Sequence, residues 1–210
     1  MSKLSPNYPK NCWWVAARAH ELSRTPLSRW LLEESVVLYR TEGGRAVALE
    51  DRCPHRWAPL SMGRVFGDEI RCQYHGFRFD PSGACTHIPT QQAIPKKACV
   101  KSYPVREHQS LIWIWMGDPT LAEQTPVPDL SFLVDPAWHT VGGSMPMNAN
   151  YMLLQENVLD LTHFAFLHAD TLDQKGWEGS DADVELVGRT VGYRKRIDGQ
   201  PLAPFLGLPL

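Results

Sequence analysis

No stretch of this 210-residue chain comes near the roughly 18 uninterrupted apolar residues that a membrane-spanning helix requires, so no membrane association is expected. Charge of one sign is not in excess either. The 21 Lys and Arg against 23 Asp and Glu leave a formal net charge of -2, which offers no electrostatic footprint for nucleic acid or an anionic surface. The opening MSKLSPNYPKNCWWVAARAHEL has no apolar h-region, so no signal peptide is expected. Internal repeats and low-complexity tracts are absent. Cysteine is scarce and odd in number, five in all, which suits a reducing compartment rather than a disulfide framework. These absences leave a cytoplasmic, soluble globular protein as the expectation, with room for one large or two small domains.

What is present concentrates in two loops. Cys53-Pro54-His55 is followed after sixteen residues by Cys72-Gln73-Tyr74-His75. Each loop offers one thiolate and one imidazole, so each can reach both atoms of an iron pair. A two-Cys, two-His set gives one iron sulfur ligands and the other nitrogen ligands, which is the Rieske [2Fe-2S] arrangement. A structural zinc site is the competing reading, since it uses the same residue types. Zinc modules usually pair like with like, as C-x2-4-C and H-x3-5-H; here each pair is mixed, and the first has a single intervening residue.

From about residue 12 to 118 the chain reads as short strands separated by turns: Trp13–Arg18, Val36–Thr41, Ala46–Glu50, Ile70–Cys72, Phe77–Asp80, Val100–Val105 and Ser110–Met116. In the last of these, Leu111, Trp113 and Trp115 alternate with Ile112 and Ile114. Many short strands at regular spacing predict a small antiparallel β domain over 1–118. Residues 119–132, with Pro119, Pro126 and Pro128, read as a linker. Beyond it, over 133–210, Trp138–Met145 is expected as a strand, Asn150–His168 as one helix, and Val184–Ile197 as two strands around Gly188 or Gly192.

That helix carries a second constellation, Asn157, Asp160, His163 and His168, spaced N-x2-D-x2-H-x4-H. Asp160 and His163 lie one turn apart on a shared face. His163 and His168 are separated by about 140° on an ideal helix, so both imidazoles reach one ion only if the helix ends, tightens or bulges between Phe164 and His168. Taken alone, H-x4-H is a weak metal signal, and capping or surface histidines are the plain alternative.

The order of the two constellations, about eighty residues apart, resembles the oxygenase component of Rieske non-haem iron oxygenases. KNCWWVAA, DRCPHRWAPLSMGRV, CQYHGFRFD, LIWIWMGDP and ENVLDLTHFAFLHA are most similar to the vanillate O-demethylase and dicamba monooxygenase branch. The likeness runs from about Asn11 to Ile197. The cluster loops lack the extra cysteine of respiratory Rieske proteins, as in soluble ferredoxins and oxygenases; Cys12, Cys85 and Cys99 are left as small buried hydrophobes.

The resemblance implies an α+β, mostly antiparallel fold: an N-terminal Rieske β-sandwich domain, then the first part of a sheet-and-helix (helix-grip) catalytic domain. Cys53, His55, Cys72 and His75 would hold the [2Fe-2S] cluster, and His163 and His168 a mononuclear Fe(II). Asp160 would bridge His163 to the cluster ligand His75 of a neighbouring subunit in a homotrimer, with Asn157 supporting it. The partners implied are an NAD(P)H-dependent flavin/iron–sulfur reductase, O2 and a small aromatic substrate. Two departures stand out. The carboxylate ligand that completes the iron triad lies downstream of Leu210 in the family, leaving Asp170, Asp173 or Glu178 as in-chain substitutes. Trp57 occupies a position that is commonly Gly, and its ring is expected to shield the cluster. A Rieske ferredoxin-like carrier with a vestigial extension is the second function, and a zinc-stabilised β domain the third.

Overall fold

The computed structural model describes residues 8–143, 145–168, 181–188 and 190–199. The chain forms two compact units, Met1–Val141 and Gly142–Leu210. None of the helices among the described residues is long and apolar enough to cross a membrane.

The first unit is three antiparallel sheets. One joins β1 (Cys12–Arg18), β11 (Leu111–Met116) and β10 (Val105–His108) in that order. A second joins β2 (Leu27–Leu31), β3 (Glu34–Arg40), β4 (Ala46–Glu50) and β9 (Ser102–Tyr103). The third joins β5 (Arg64–Phe66), β6 (Glu69–Arg71), β7 (Arg78–Phe79) and β8 (Cys85–His87). The antiparallel β domain expected from the strand pattern is therefore present.

Period-two alternation assigns each strand's faces. On β3, Val36 and Leu38 enter a core with Ala48, Ile112, Ile114 and Met116. Val37 and Tyr39 enter a second core with Leu49, Leu60, Ile70, Phe79 and the two cysteines Cys53 and Cys72. The second sheet is thus the middle layer, apolar on both sides, which explains why VVLY reads as an unbroken hydrophobic run. Each fully buried side chain of this kind contributes about 1.5–3 kcal/mol.

On β11 the alternation serves a third cluster. Trp113 and Trp115 face away from Ile112 and Ile114 and pack with Trp13 and Ala122, with Val127 and Leu130 at the edge. The Trp13 indole donates to the Thr125 carbonyl at 2.9 Å, and that of Trp115 to Asp118 at 2.7 Å. Residues 119–132, read from sequence as a linker, are therefore docked on the first sheet. Their prolines restrict the backbone, but their few apolar residues are spent on the indoles.

The second unit holds α1 (Tyr151–Leu159), α2 (Phe164–Leu167) and a hairpin of β12 (Ala182–Val187) and β13 (Thr190–Lys195). Its turn contains Gly188 at φ +60°, one of the two positions expected. The strand predicted over Trp138–Met145 is not formed by its described residues. The single helix predicted over Asn150–His168 is broken: α1 ends at Asp160, whose backbone is extended (φ -98°, ψ 90°), and a 3-10 turn over Leu161–His163 leads into α2. Asp160 terminates the helix because its carboxylate bonds locally, accepting from the Thr162 amide at 3.1 Å and hydroxyl at 2.5 Å.

Candidate functional site: two matched loops and a histidine pair

The two cysteine-bearing loops are built to one plan. In the first, the Cys53 amide donates to the Ala58 carbonyl at 2.9 Å and the Trp57 amide to the Cys53 carbonyl at 2.8 Å. In the second, the Cys72 amide donates to Phe77 at 2.8 Å and the Gly76 amide to Cys72 at 3.0 Å. Both loops therefore close on the fifth residue after the cysteine and turn at the fourth. That fourth residue is left-handed in each, Gly76 at φ +76° and Trp57 at φ +59°. Glycine takes this conformation without a Cβ clash, which is the physical reason the Trp57 position favours it.

This shared geometry sorts the side chains. Cys53 and Cys72 point inward, each 2% exposed in the second core, while His55 and His75 stand exposed at the loop tips. The two imidazoles lie 4.4 Å apart between centroids, and the two thiols are neighbours in one core, each acting on the other electrostatically. Sulfur thus lies beside sulfur and nitrogen beside nitrogen, although each loop supplied one of each. Burial pushes the Cys53 thiol up to about 11, against the opposing pull of the His55 and Arg56 amides that donate to its sulfur. His55 is held below the usual imidazole range, by desolvation first and then by His75 and Arg56, which favours the neutral, ligating form.

Trp57 does not shield these side chains. Its ring is 68% exposed, lies 4.0 Å from the Arg52 guanidinium, and lines a separate cavity of about 340 Å³ with Trp30 and Tyr103. The aromatics that pack on the site are Phe77, stacked on His55 at 4.8 Å with rings 5° from parallel, and Tyr74, tilted against His75 at 3.9 Å. The first loop is anchored by Asp51, a buried carboxylate that accepts from the Ser61 amide and hydroxyl, both at 2.6 Å, and from the Ser28 hydroxyl at 3.0 Å. Sequence reasoning passed over both residues. An Asp two positions before a cysteine, with Ser61 ten residues on, was the available signal.

In the second unit the His163 and His168 rings lie 5.3 Å apart, with Phe164 edge-on to both. The tightened 3-10 turn, together with His168 leaving the helix at φ -111° and ψ 21°, overcomes the divergence of an ideal helix. His163 Nδ1 lies 2.6 Å from the Asp160 carbonyl oxygen. A carbonyl only accepts, so Nδ1 carries the proton and Nε2 presents its lone pair. The His163–Asp160 contact is thus made by the main chain. The Asp160 carboxylate is held below its ordinary pKa by the Thr162 hydroxyl and amide, and both bonds use Oδ1. Asn157 is exposed on α1, with no side-chain hydrogen bond among the described residues. Phe166 and Leu167 beside the two histidines are exposed.

The Rieske [2Fe-2S] domain family matches residues 12–104, and the vanillate O-demethylase oxygenase C-terminal domain family matches residues 147–208. The chain is a member of the Rieske non-haem iron oxygenases. It is 51% identical over 164 residues to the toluene-4-sulfonate monooxygenase system iron–sulfur subunit of Comamonas testosteroni, covering 78% of this chain and 47% of that one. It is 46% identical over 182 residues to the oxygenase component of dicamba O-demethylase from Stenotrophomonas maltophilia, covering 86% and 53%. A crystal structure of dicamba monooxygenase bound to dicamba superimposes with a TM-score of 0.88 at 38% identity, over 96% of this chain and 60% of that one. The chain spans about half the length of the curated relatives it matches.

The cofactors of a Rieske oxygenase are the [2Fe-2S] cluster and a mononuclear iron, and the first of these fits a complete donor set here. Two adjacent buried sulfurs and two adjacent outward nitrogens suit a paired-iron group whose ligands divide by type. For the second, the structure brings the His163 and His168 rings together. Asp170, Asp173 and Glu178, the in-chain substitutes for the third ligand, lie outside the described residues. Cluster-free protein carries a pH signature. A thiol with a folded pKa near 11 against an ordinary 9.0 binds its proton more tightly folded than unfolded. Its stabilising effect is complete below pH 9 and lost as pH rises through 11. Thermal melts of the cluster-free protein at pH 8 to 11 are expected to show this fall, and Cys53→Ala is expected to flatten it.

Proposed function

We propose that this chain serves as the terminal oxygenase component of a Rieske monooxygenase or O-demethylase acting on a small aromatic compound. The observation that carries this reading is the sorting of Cys53 with Cys72 and His55 with His75, joined in one chain to a His163–His168 pair. When bound, the cluster supplies single electrons and the mononuclear iron supplies O2 activation. The residues do the rest. Cys53 and Cys72 hold the inner sulfur side in an apolar core, and His55 and His75 present the nitrogen side to the surface, where electrons enter and leave. His163 offers Nε2 because the Asp160 carbonyl fixes its proton on Nδ1. Asp160 Oδ2 makes no hydrogen bond among the described residues, so it is the atom we assign to bridging His75 of a neighbouring subunit. That assignment requires a head-to-tail homotrimer. Electrons would come from an NAD(P)H-dependent flavin/iron–sulfur reductase. The aromatic class follows from relatives named for toluene-4-sulfonate, dicamba and vanillate.

Substitution of the second site tests the proposal. His163→Ala is expected to abolish iron beyond the cluster pair while the brown colour persists. Asp160→Asn keeps an acceptor for the Thr162 cap, since Asn and Asp cap equally well, so the local fold survives. It is expected to leave both metals bound yet slow cluster oxidation in single turnover by roughly 10–100-fold or more. Unchanged single-turnover rates would remove the bridging role. A second reading, an electron carrier, draws on burial: the three cores all lie in the first unit. Iron analysis separates the two, because a carrier holds only the cluster pair.

A further inference from the structure

The third sheet aligns its cations. Arg64 is opposite Arg71, Arg71 opposite Arg78, and Arg78 opposite His87. Cross-strand partners share a face, so three guanidinium groups and an imidazole form one row across all four strands. Like charges placed directly opposite one another are destabilising, and this chain is not basic overall, so the row is a local concentration with no counterpart in bulk composition. Among the described residues, Arg64 and Arg71 have no carboxylate partner, and Arg78 reaches only Glu69, loosely, at 3.8 Å. Arg78 Nε is buried without a hydrogen-bond partner.

The same residues line a cleft of about 510 Å³ that also touches Met62, Pro89 and the second cluster loop at Cys72, Gln73 and Gly76. Its size is that of a small-molecule site. Phe66 props the guanidinium planes, with Arg71 4.1 Å and Arg78 5.8 Å from its ring centre. Arginine forks recognise carboxylate, sulfonate and phosphate oxygens bidentately. We propose that this cleft is a binding site for a small organic oxyanion, its head group held by Arg64, Arg71 and Arg78 and its body resting against Met62 and Pro89. Occupancy places negative charge beside the Cys72 loop, which disfavours an added electron on the cluster and lowers its potential.

Calorimetric titration of the cluster-loaded protein with benzenesulfonate and with inorganic sulfate, at constant ionic strength, tests this. Saturable binding is expected, weakened at least about tenfold by Arg71→Gln and by Arg64→Gln. Arg45→Gln, outside the cleft, is expected to bind as the native protein does. Saturating benzenesulfonate is expected to lower the cluster's midpoint potential in the native protein and leave Arg71→Gln unmoved. Sulfate also stabilises proteins by surface exclusion, and that effect survives both substitutions. Absence of saturable binding, binding that is the same in Arg71→Gln, or a potential that does not respond to saturation would overturn the proposal.

Discussion

Cys72→Ser is expected to yield a colourless first unit with no acid-labile sulfide, against about two sulfides per chain and a brown colour in the native protein. Serine is nearly the size of cysteine, so the second core, where Cys72 sits 2% exposed among Leu60, Ile70 and Phe79, loses little packing. What it loses is a thiolate: of the remaining cysteines, half-buried Cys12 and exposed Cys99, expected as buried hydrophobes, are not part of this core, and only half-buried Cys85 packs against it. The sorted geometry makes the loss complete: one iron would keep a single protein sulfur. A bound group stabilises the folded state by mass action, so the melting temperature falls with the colour. His75→Cys is the informative companion. It leaves four ligands but replaces a neutral imidazole with a thiolate, and the potential of any cluster retained is expected to drop toward that of all-cysteine centres. A native protein that is colourless and contains zinc would instead support the structural-metal reading.

The second large effect lies outside the ligand set. Asp51 ties the middle sheet to the first cluster loop, accepting three hydrogen bonds from Ser61 and Ser28 while its own amide donates to the Ser35 carbonyl at 2.9 Å. Asp51→Ala removes the acceptor and leaves three donors behind, in a site where the aspartate itself is only 5% exposed. Hydrogen bonds to a charged group are worth about 1.5–3 kcal/mol each, and the donors of half-buried Ser61 left without an acceptor add to the loss. A destabilisation of about 3–5 kcal/mol is expected, on the order of 10 °C in melting temperature for a unit of this size. Cluster content is expected to fall with it, because Leu60, fully buried, and Ser61 fix the far end of the Cys53 loop. Asp51→Asn keeps the volume and an oxygen acceptor, so it is expected to recover part of both losses. A change below about 1 kcal/mol in Asp51→Ala would remove this anchoring role.

The apolar hairpin face of the second unit marks what the described residues leave open. Val184 pairs with Tyr193 and Leu186 with Val191, which puts all four on one side of the β12–β13 ribbon, and all four are exposed. On the opposite side, Asp183 pairs with Arg194. A ribbon so divided is patterned for burial on one face, and a two-stranded hairpin is marginal by itself.

Much of this was legible before any coordinates. Mixed Cys/His spacing picked out the candidate donors, and the apolar run VVLY and the Leu/Trp–Ile alternation of LIWIWM marked two of the strands. These are local properties, since the side-chain period of a strand and the reach of a loop are carried by neighbouring residues. Four features were decided by tertiary structure alone. The sorting of sulfur inward and nitrogen outward depends on two loops folding to the same closure from separate sheets. The left-handed turn at Trp57 depends on the bond back to Cys53, against the residue's own preference. The docking of residues 119–132 depends on three indoles assembled from β1 and β11. The Arg64–Arg71–Arg78–His87 row depends on strand register, which is set by how a sheet buries its other face. Each of these joins groups far apart in the chain, and the free energy that places them comes from burial and pairing across the fold, which no window of sequence contains.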